Sequence, residues 1–516
     1  MKNNQIIFTL RQAGIELRLD SSAFSPDEIE SITYEANRAI VTLTHDVTHI
    51  DGYTVCNIYD VECVALPEST ERVHCVAFAN YESIFRFEGP LASADGLMLV
   101  KNGTLLAYAD KISKEIVLPD TFTAIADSVF RNCCQLEHIT LPAHLEHIGA
   151  HVFENCTSLR QVVWPETLQT IGHCAFVRCA LQRVDLPDSV TSIGDVAFGD
   201  CPHIAHVHIG ASVNHIGEQA FGGCPQLRSF SGRYATADGK LLIKQGAVIS
   251  AVAEADAISI PEGVERIAPY AFYHSLVTQK VRLPHSLKEI CDEGMSYCQV
   301  DVELPDGLEV IGHKAFYNNI GLHHVHLPAS LRQIGEGAFG YTEVKQFTGR
   351  YATDDGHYLI KDGCLLGVAL HEEGCYMIPQ GVTSIGSYAF QGLPVTAQLV
   401  LPEGVTTIGQ SAFHNEESTV WTSISFPTTL RTIGDYAFSH MELQGSLHLP
   451  EGLEHIGVGA FNFAELGDPL VVIPSTVSTL GNYAFDDINY LKEYKPIFEF
   501  RGVIYPIFKQ SLLADD

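Results

Sequence analysis

Positive charge is scarce in this chain: 31 Lys and Arg stand against 62 Asp and Glu over 516 residues, a formal net charge of −31. Such a surface repels nucleic acid and anionic lipid, which leaves a basic partner, or simple solubility, as the use of the charge. Long hydrophobic runs are also missing. No stretch reaches the roughly 18 apolar residues that a membrane-crossing helix requires, so no membrane insertion is expected. The apolar run Ile6 to Leu10 ends at Arg11, too soon for the apolar region of a secretory signal, and the chain as written is expected to be soluble and to carry no export signal. The linear signatures of catalysis are absent too: no His-Glu-x-x-His, no Gly-x-Ser-x-Gly, no P-loop, no Rossmann glycines and no EF-hand series. The 14 cysteines include no Cys-x-x-Cys pair and no zinc spacing. The expectation is a non-enzymatic chain with no catalytic residue, no cofactor and no metal.

What is present is a repeat. The signature Ile-Gly-x-x-[Ala/Val]-Phe stands at Ile148 to Phe153 and again at Ile171 to Phe176, 23 residues on. It recurs at Ile125, Ile193, Ile216, Ile267, Ile290, Ile311, Ile334, Ile385, Ile408, Ile433, Ile456 and Leu480, with weaker copies at Val73/Phe78 and Ile50/Val55. A fixed period of this size is one coil of a solenoid, and the signatures predict about 16 coils. In a solenoid, length counts coils rather than globular domains.

Within a coil, Ile139 and Leu141 alternate with polar neighbours, as a half-buried strand does, and Pro142 ends its pairing. Leu145 and Ile148 point inward on the return path. Gly149 is expected to permit a tight turn, with Val152, Phe153 and Cys156 on one side of a short helical turn. The predicted fold class is an α/β repeat with a short strand and a short helical turn per coil. Cys133, Cys156, Cys179, Cys201, Cys224 and Cys298 each follow the coil's Phe or Met by three residues. They are expected to stack as a buried column of structural thiols, although neighbouring coils lie close enough for disulfides.

The period jumps by 51 or 52 residues in three places, and one insert fills each jump, starting at Phe87, Phe230 and Phe347. Apolar runs around Asn102-Gly103, Gln245-Gly246 and Asp362-Gly363 predict three β-hairpins, near residues 87–113, 230–256 and 347–374. Their close likeness suits a structural role; binding loops are the alternative. Residues 1–40 precede the repeat and 486–516 follow it, and both are expected to cap the apolar ends of a solenoid spanning 41–485.

The outward strand positions carry varied polar residues. Arg183 and Asp185, His206 and His208, Asp301 and Glu303, and His324 and His326 are the candidate ligand-binding residues, in contact roles on the exposed strand face. Paired histidines two apart on a strand could share a metal, but no carboxylate or Cys spacing joins these pairs, so partner contact, a pH response or plain surface polarity is the expected use.

The motif Leu-Pro-x-x-[Leu/Val]-x-x-Ile-Gly-x-x-Ala-Phe-x-x-Cys, as in Leu186 to Cys201, and the hairpin motif Phe-x-Gly-x-x-Ala-[Ser/Thr]-x-Asp-Gly resemble the BspA-like leucine-rich repeat family of bacterial and some protozoan surface proteins. The likeness runs from about Val41 to Phe485; Ala126, Ala268 and Cys291 replace the usual Gly and Met295 the usual Phe. The resemblance implies a leucine-rich repeat solenoid that binds a protein ligand of host or extracellular-matrix type, in adhesion, from a secreted or cell-surface location. The missing export signal instead fits the cytoplasm, and the compartment stays open. A monomer is expected, and the alternative function is a structural spacer or scaffold with no ligand of its own.

Overall fold

The computed structural model describes residues 2–19, 26–50, 61–73, 86–277, 280–371, 374–393, 396–414, 419–468, 470–490, 497–500 and 503–505. Val55 and Phe78 of the two weakest signatures, and Phe508 near the C-terminus, lie outside them. The chain divides into two compact units, Met1–Lys244 with Ser250–Glu254 and Gln245–Ile249 with Ala255–Asp516.

In the first unit the signature Ile of each turn pairs with the next in a parallel ladder. Ile125, Ile148, Ile171, Ile193 and Ile216 are successive partners, within one seven-stranded sheet. Beneath them the Phe side chains form a file. Phe130, Phe153, Phe176 and Phe198 are wholly buried, with adjacent centroids 4.9–5.3 Å apart, close to the ~4.8 Å separation of neighbouring strands. The second unit repeats the arrangement: Phe413, Phe438, Phe461 and Phe485 stack at 4.8–5.3 Å with rings within 5° of parallel. No turn could hide its own Phe; each ring is covered by the next.

The expected helical turn is not there. Among the described residues the only helical element is the 3-10 turn Pro26–Glu28, so this is a β-solenoid rather than an α/β repeat. The reason lies in the backbone. In each well-conserved turn the fourth signature residue is left-handed, as in His151 (φ 57°), Cys174 (53°), Val196 (54°) and Gln219 (53°), and so is the second residue after Phe, as in Asn155 (60°), Arg178 (58°) and Asp200 (53°). A helix needs consecutive right-handed residues, and these interruptions forbid it. The backbone N–H groups look sideways instead: Cys174, Phe176 and Arg178 donate to the carbonyls of Asp195, Ala197 and Gly199 in the next turn, at 2.7–3.0 Å.

The signature glycine also has a different task from the one expected. Gly172 has no positive φ; a Cβ there would sit 2.5 Å from the carbonyl carbon and oxygen of Gly149. The residue is small because the neighbouring backbone passes over it, and the left-handed turn falls two residues later.

Hairpins form at Met98–Lys101/Thr104–Tyr108 and Tyr358–Lys361/Cys364–Val368. Their turns, Asn102-Gly103 and Asp362-Gly363, have positive φ at both residues, as does Gln245-Gly246, the requirement of a type I′ turn. The second strand of each insert occupies a rung of the Ile ladder: Leu105 pairs with Ile125, Val248 with Ile267 and Leu365 with Ile385. Counting signatures misses these rungs, and the expected 16 coils fall short of a β-solenoid of about 18 turns. At the N-terminus, Ile29–Glu35, Arg38–Leu43 and Gln5–Leu10 form antiparallel neighbours that lead into Val61–Ala65 and Arg86–Glu88.

Candidate binding face

The edge of each turn opposite the Ile ladder carries the outward strand. Arg183–Asp185 pairs in parallel with His206–Ile209, which pairs with Ser229–Gly232. Val184, Val207 and Phe230 point inward and are buried, so the residues on either side of each face out. Two rows result, Arg183–His206–Ser229 and Asp185–His208–Ser231. The histidines are half-buried, and Arg183 and Asp185 are exposed. Imidazole-hydroxyl contacts tie the rows together: His206 Nδ1 lies 2.8 Å from Ser229 Oγ, His206 Nε2 3.0 Å from Ser231 Oγ, and His208 Nδ1 2.9 Å from Ser231 Oγ. Arg183 Nε donates to Asp185. Burial and the neighbouring Arg183 charge hold His206 below the ordinary imidazole value, with Asp185 pulling the other way.

In the second unit His324 and His326 lie on His324–Leu327, paired with Gln346–Gly349. Both are exposed, and His326 Nδ1 sits 3.0 Å from Thr348 Oγ1. Asp301 and Glu303 flank Val302, which bridges to Val281. Lys280 Nζ donates to Glu303, which lowers the Glu303 carboxyl below its usual range. Lys280, Arg282, His285, Glu303 and Asp306 line an open cleft of about 480 Å³. The structure thus groups the sequence-predicted residues into two sets in the first unit, joined across one pair of strands, and two in the second; no convergent catalytic arrangement joins the described members of either.

The thiol column is as expected in position. The described cysteines are all free. Cys156, Cys179, Cys201 and Cys224 donate through Sγ to the carbonyls of Phe130, Phe153, Phe176 and Phe198 at 3.1–3.2 Å. Burial pushes the Cys156, Cys179 and Cys201 thiols up, which suits side chains that pack in the interior.

One set of metal-ligand side chains escaped the linear search. Ligand atoms of His151, His173 and Cys174 all lie within 4.8 Å of one another. Their spacing, 22 and 23 residues, matches no zinc motif, and the signal that finds them is the register: one turn apart in a solenoid is adjacent in space.

The profile of the BspA type leucine rich repeat region matches residues 107–235, 251–354 and 375–492, in six copies, more than half of the chain. Among solved structures, a leucine-rich repeat protein from Bacteroides ovatus ATCC 8483 is 20% identical, with 92% of this chain and 98% of that chain covered and a TM-score of 0.37. One from Eubacterium ventriosum ATCC 27560 is 15% identical, covering 79% and 94%, at 0.40. A leucine rich cell surface protein from Faecalibacterium prausnitzii A2-165 is 21% identical, covering 70% and 96%, at 0.36. No curated protein matches the chain. At such TM-scores these likenesses carry no argument, and the family assignment rests on the profile.

Proposed function

The chain belongs to the BspA-type leucine-rich repeat family, and we propose that it is a non-enzymatic interaction module whose outward strand face binds a protein. One observation carries this reading: the outward positions hold varied polar side chains fixed at strand spacing by the rigid turns behind them, as Arg183, Asp185, His206 and His208 are. A pre-positioned polar surface loses little freedom on binding. The surplus of acidic residues favours a basic partner, attracted by long-range charge. Adhesion to a host or matrix protein is the form of this function that the family resemblance implies, and Asp301, Glu303, His324 and His326 would make the corresponding contacts in the second unit. The N-terminal antiparallel strands and the segment after Phe485 act as caps in this reading, covering apolar ends that would otherwise aggregate. No described helix is long and apolar enough to cross a membrane.

The test is capture of a partner, identified by mass spectrometry, by three proteins: the wild type, His206→Ser/His208→Ser, and Asp301→Lys/Glu303→Lys. Weaker capture with an unchanged melting profile supports the face as the binding surface. Equal capture by all three would sink it and leave the spacer reading.

A further inference from the structure

A register accident of the repeat has placed His151, His173 and Cys174 together, and we propose that they form a zinc-class metal site bridging two successive turns. The inference is independent of the proposed binding face. Three observations carry it.

The first is placement. His151 and Cys174 occupy the same left-handed position in adjacent turns, φ 57° and 53°, and the turns are locked there by the backbone bond from His151 N to His173 O at 2.8 Å. The equivalent positions of the flanking turns hold Ser128, Val196 and Gln219, preceded by Asp127, Asp195 and Glu218. At the position of His173, Asp127 and Asp195 accept the N–H of the following turn, from Ala150 and Glu218 at 2.7 and 2.9 Å. Only in this pair of turns of the first unit's repeat does the chain place imidazoles and a thiol at these two positions.

The second is proximity. Sγ of Cys174 is 3.1 Å from Nε2 of His173, the two imidazoles meet edge to face with centroids 5.1 Å apart, and all three ligand atoms fall within 4.8 Å. A tetrahedral cation with Zn–N near 2.0 Å and Zn–S near 2.3 Å asks for ligand atoms about 3.3–3.5 Å apart. The Cys174–His173 pair at 3.1 Å is already within a few tenths of that, and His151, at most 4.8 Å away, would close the rest through side-chain rotation.

The third is the support behind the ligands. His151 Nδ1 lies 2.7 Å from Glu154 Oε2, and Glu154 Oε1 is held in turn by Arg131 at 2.9 Å. A carboxylate that accepts from Nδ1–H fixes the tautomer in which Nε2 presents its lone pair, the arrangement that accompanies metal-bound histidine. Glu154 is largely buried while His151, His173 and Cys174 reach solvent, so a cation has a route in.

Two imidazoles and one thiolate select a borderline divalent cation, zinc foremost, and leave the fourth position to water. On binding, the Cys174 thiol gives its proton to solvent and Sγ takes the metal. The cation then pins one turn to the next at the solvent side, where the Phe file does not reach.

Cobalt titration of the reduced full-length protein tests the site. One equivalent of Co²⁺ should produce a near-ultraviolet thiolate-to-metal band that one equivalent of Zn²⁺ removes. Cys174→Ser should abolish the band, and His151→Gln and His173→Gln should weaken binding, each with the circular dichroism and metal-free melting of the wild type. Glu154→Gln, which keeps all three ligands, should weaken Co²⁺ binding about 10–100-fold. No band in the wild type, or a band that survives Cys174→Ser or is indifferent to both histidine variants, would overturn the proposal.

Discussion

The two edges of a turn in the first unit obey different rules. Along the Ile edge, seven strands pair without a break, whereas the opposite edge divides into two sheets of three, between Gln161–Val163 and Arg183–Asp185. At that point the repeat is one residue shorter: three residues separate Cys179 from Arg183, where four separate Cys156 from Gln161. The Ile edge absorbs none of this, and Ile171 still pairs with Ile193. Register is therefore set where glycine lets the backbones approach and Phe stacks behind them, while the outward edge takes up the slack. An edge that tolerates deletion tolerates substitution, and that freedom is what a recognition surface needs.

Substitutions can break this contrast. Phe198→Ala removes a ring stacked on both neighbours and should cost about 3–5 kcal/mol, seen as a lower urea midpoint. Gly172→Ala should follow at about 1–3 kcal/mol, because the added methyl meets the backbone of the adjacent turn; a neutral result would show that the glycine does not set the spacing. Val196→Asn sharpens the account in the other direction. A β-branched residue at φ 54° is strained, and Asn, which accepts the left-handed region, should stabilise by about 1 kcal/mol.

Effects on the outward edge should be smaller. His206 has a depressed pKa, so its neutral form is favoured by folding; that contribution is complete above the ordinary imidazole value and is lost as pH falls through the folded value. Melting between about pH 7 and 5 should accordingly show a slight loss in the wild type that is reduced in His206→Asn. Asp185→Ser should shift stability by less than about 0.5 kcal/mol, since its partner Arg183 is as exposed as it is. A urea melt in which Asp185→Ser matched Phe198→Ala would erase the distinction between the edges.

Much of the fold was legible because a solenoid writes its contacts into its period. Ile148, Phe153 and Cys156 recur at one-turn intervals; Ile148 and Phe153 meet their own copies, and Cys156 donates to the carbonyl of Phe130 one turn back. The hairpin turns were legible for a local reason, since Asn-Gly and Asp-Gly tolerate the paired positive φ values of a tight reversal. The missing helix was not legible. Val196 and Cys174 carry no propensity for the left-handed region, and only neighbouring carbonyls, accepting alternate N–H groups, hold them there. The polar rows could be placed on the outward face from alternation alone, but their contacts, such as His206 with both Ser229 and Ser231, depend on which strands lie side by side.

By itself, the sequence determined that this chain stacks turns, which side chains lie inside each turn, and where hairpins enter, because burial and turn chemistry are local properties repeated at a fixed interval. Tertiary structure alone decided the handedness of the corner residues, the extra rungs at Leu105, Val248 and Leu365, and the meeting of His151 with His173 and Cys174. Those outcomes depend on what the adjoining turn offers across a gap of about 4.8 Å, a relation between residues some two dozen positions apart that no single turn contains.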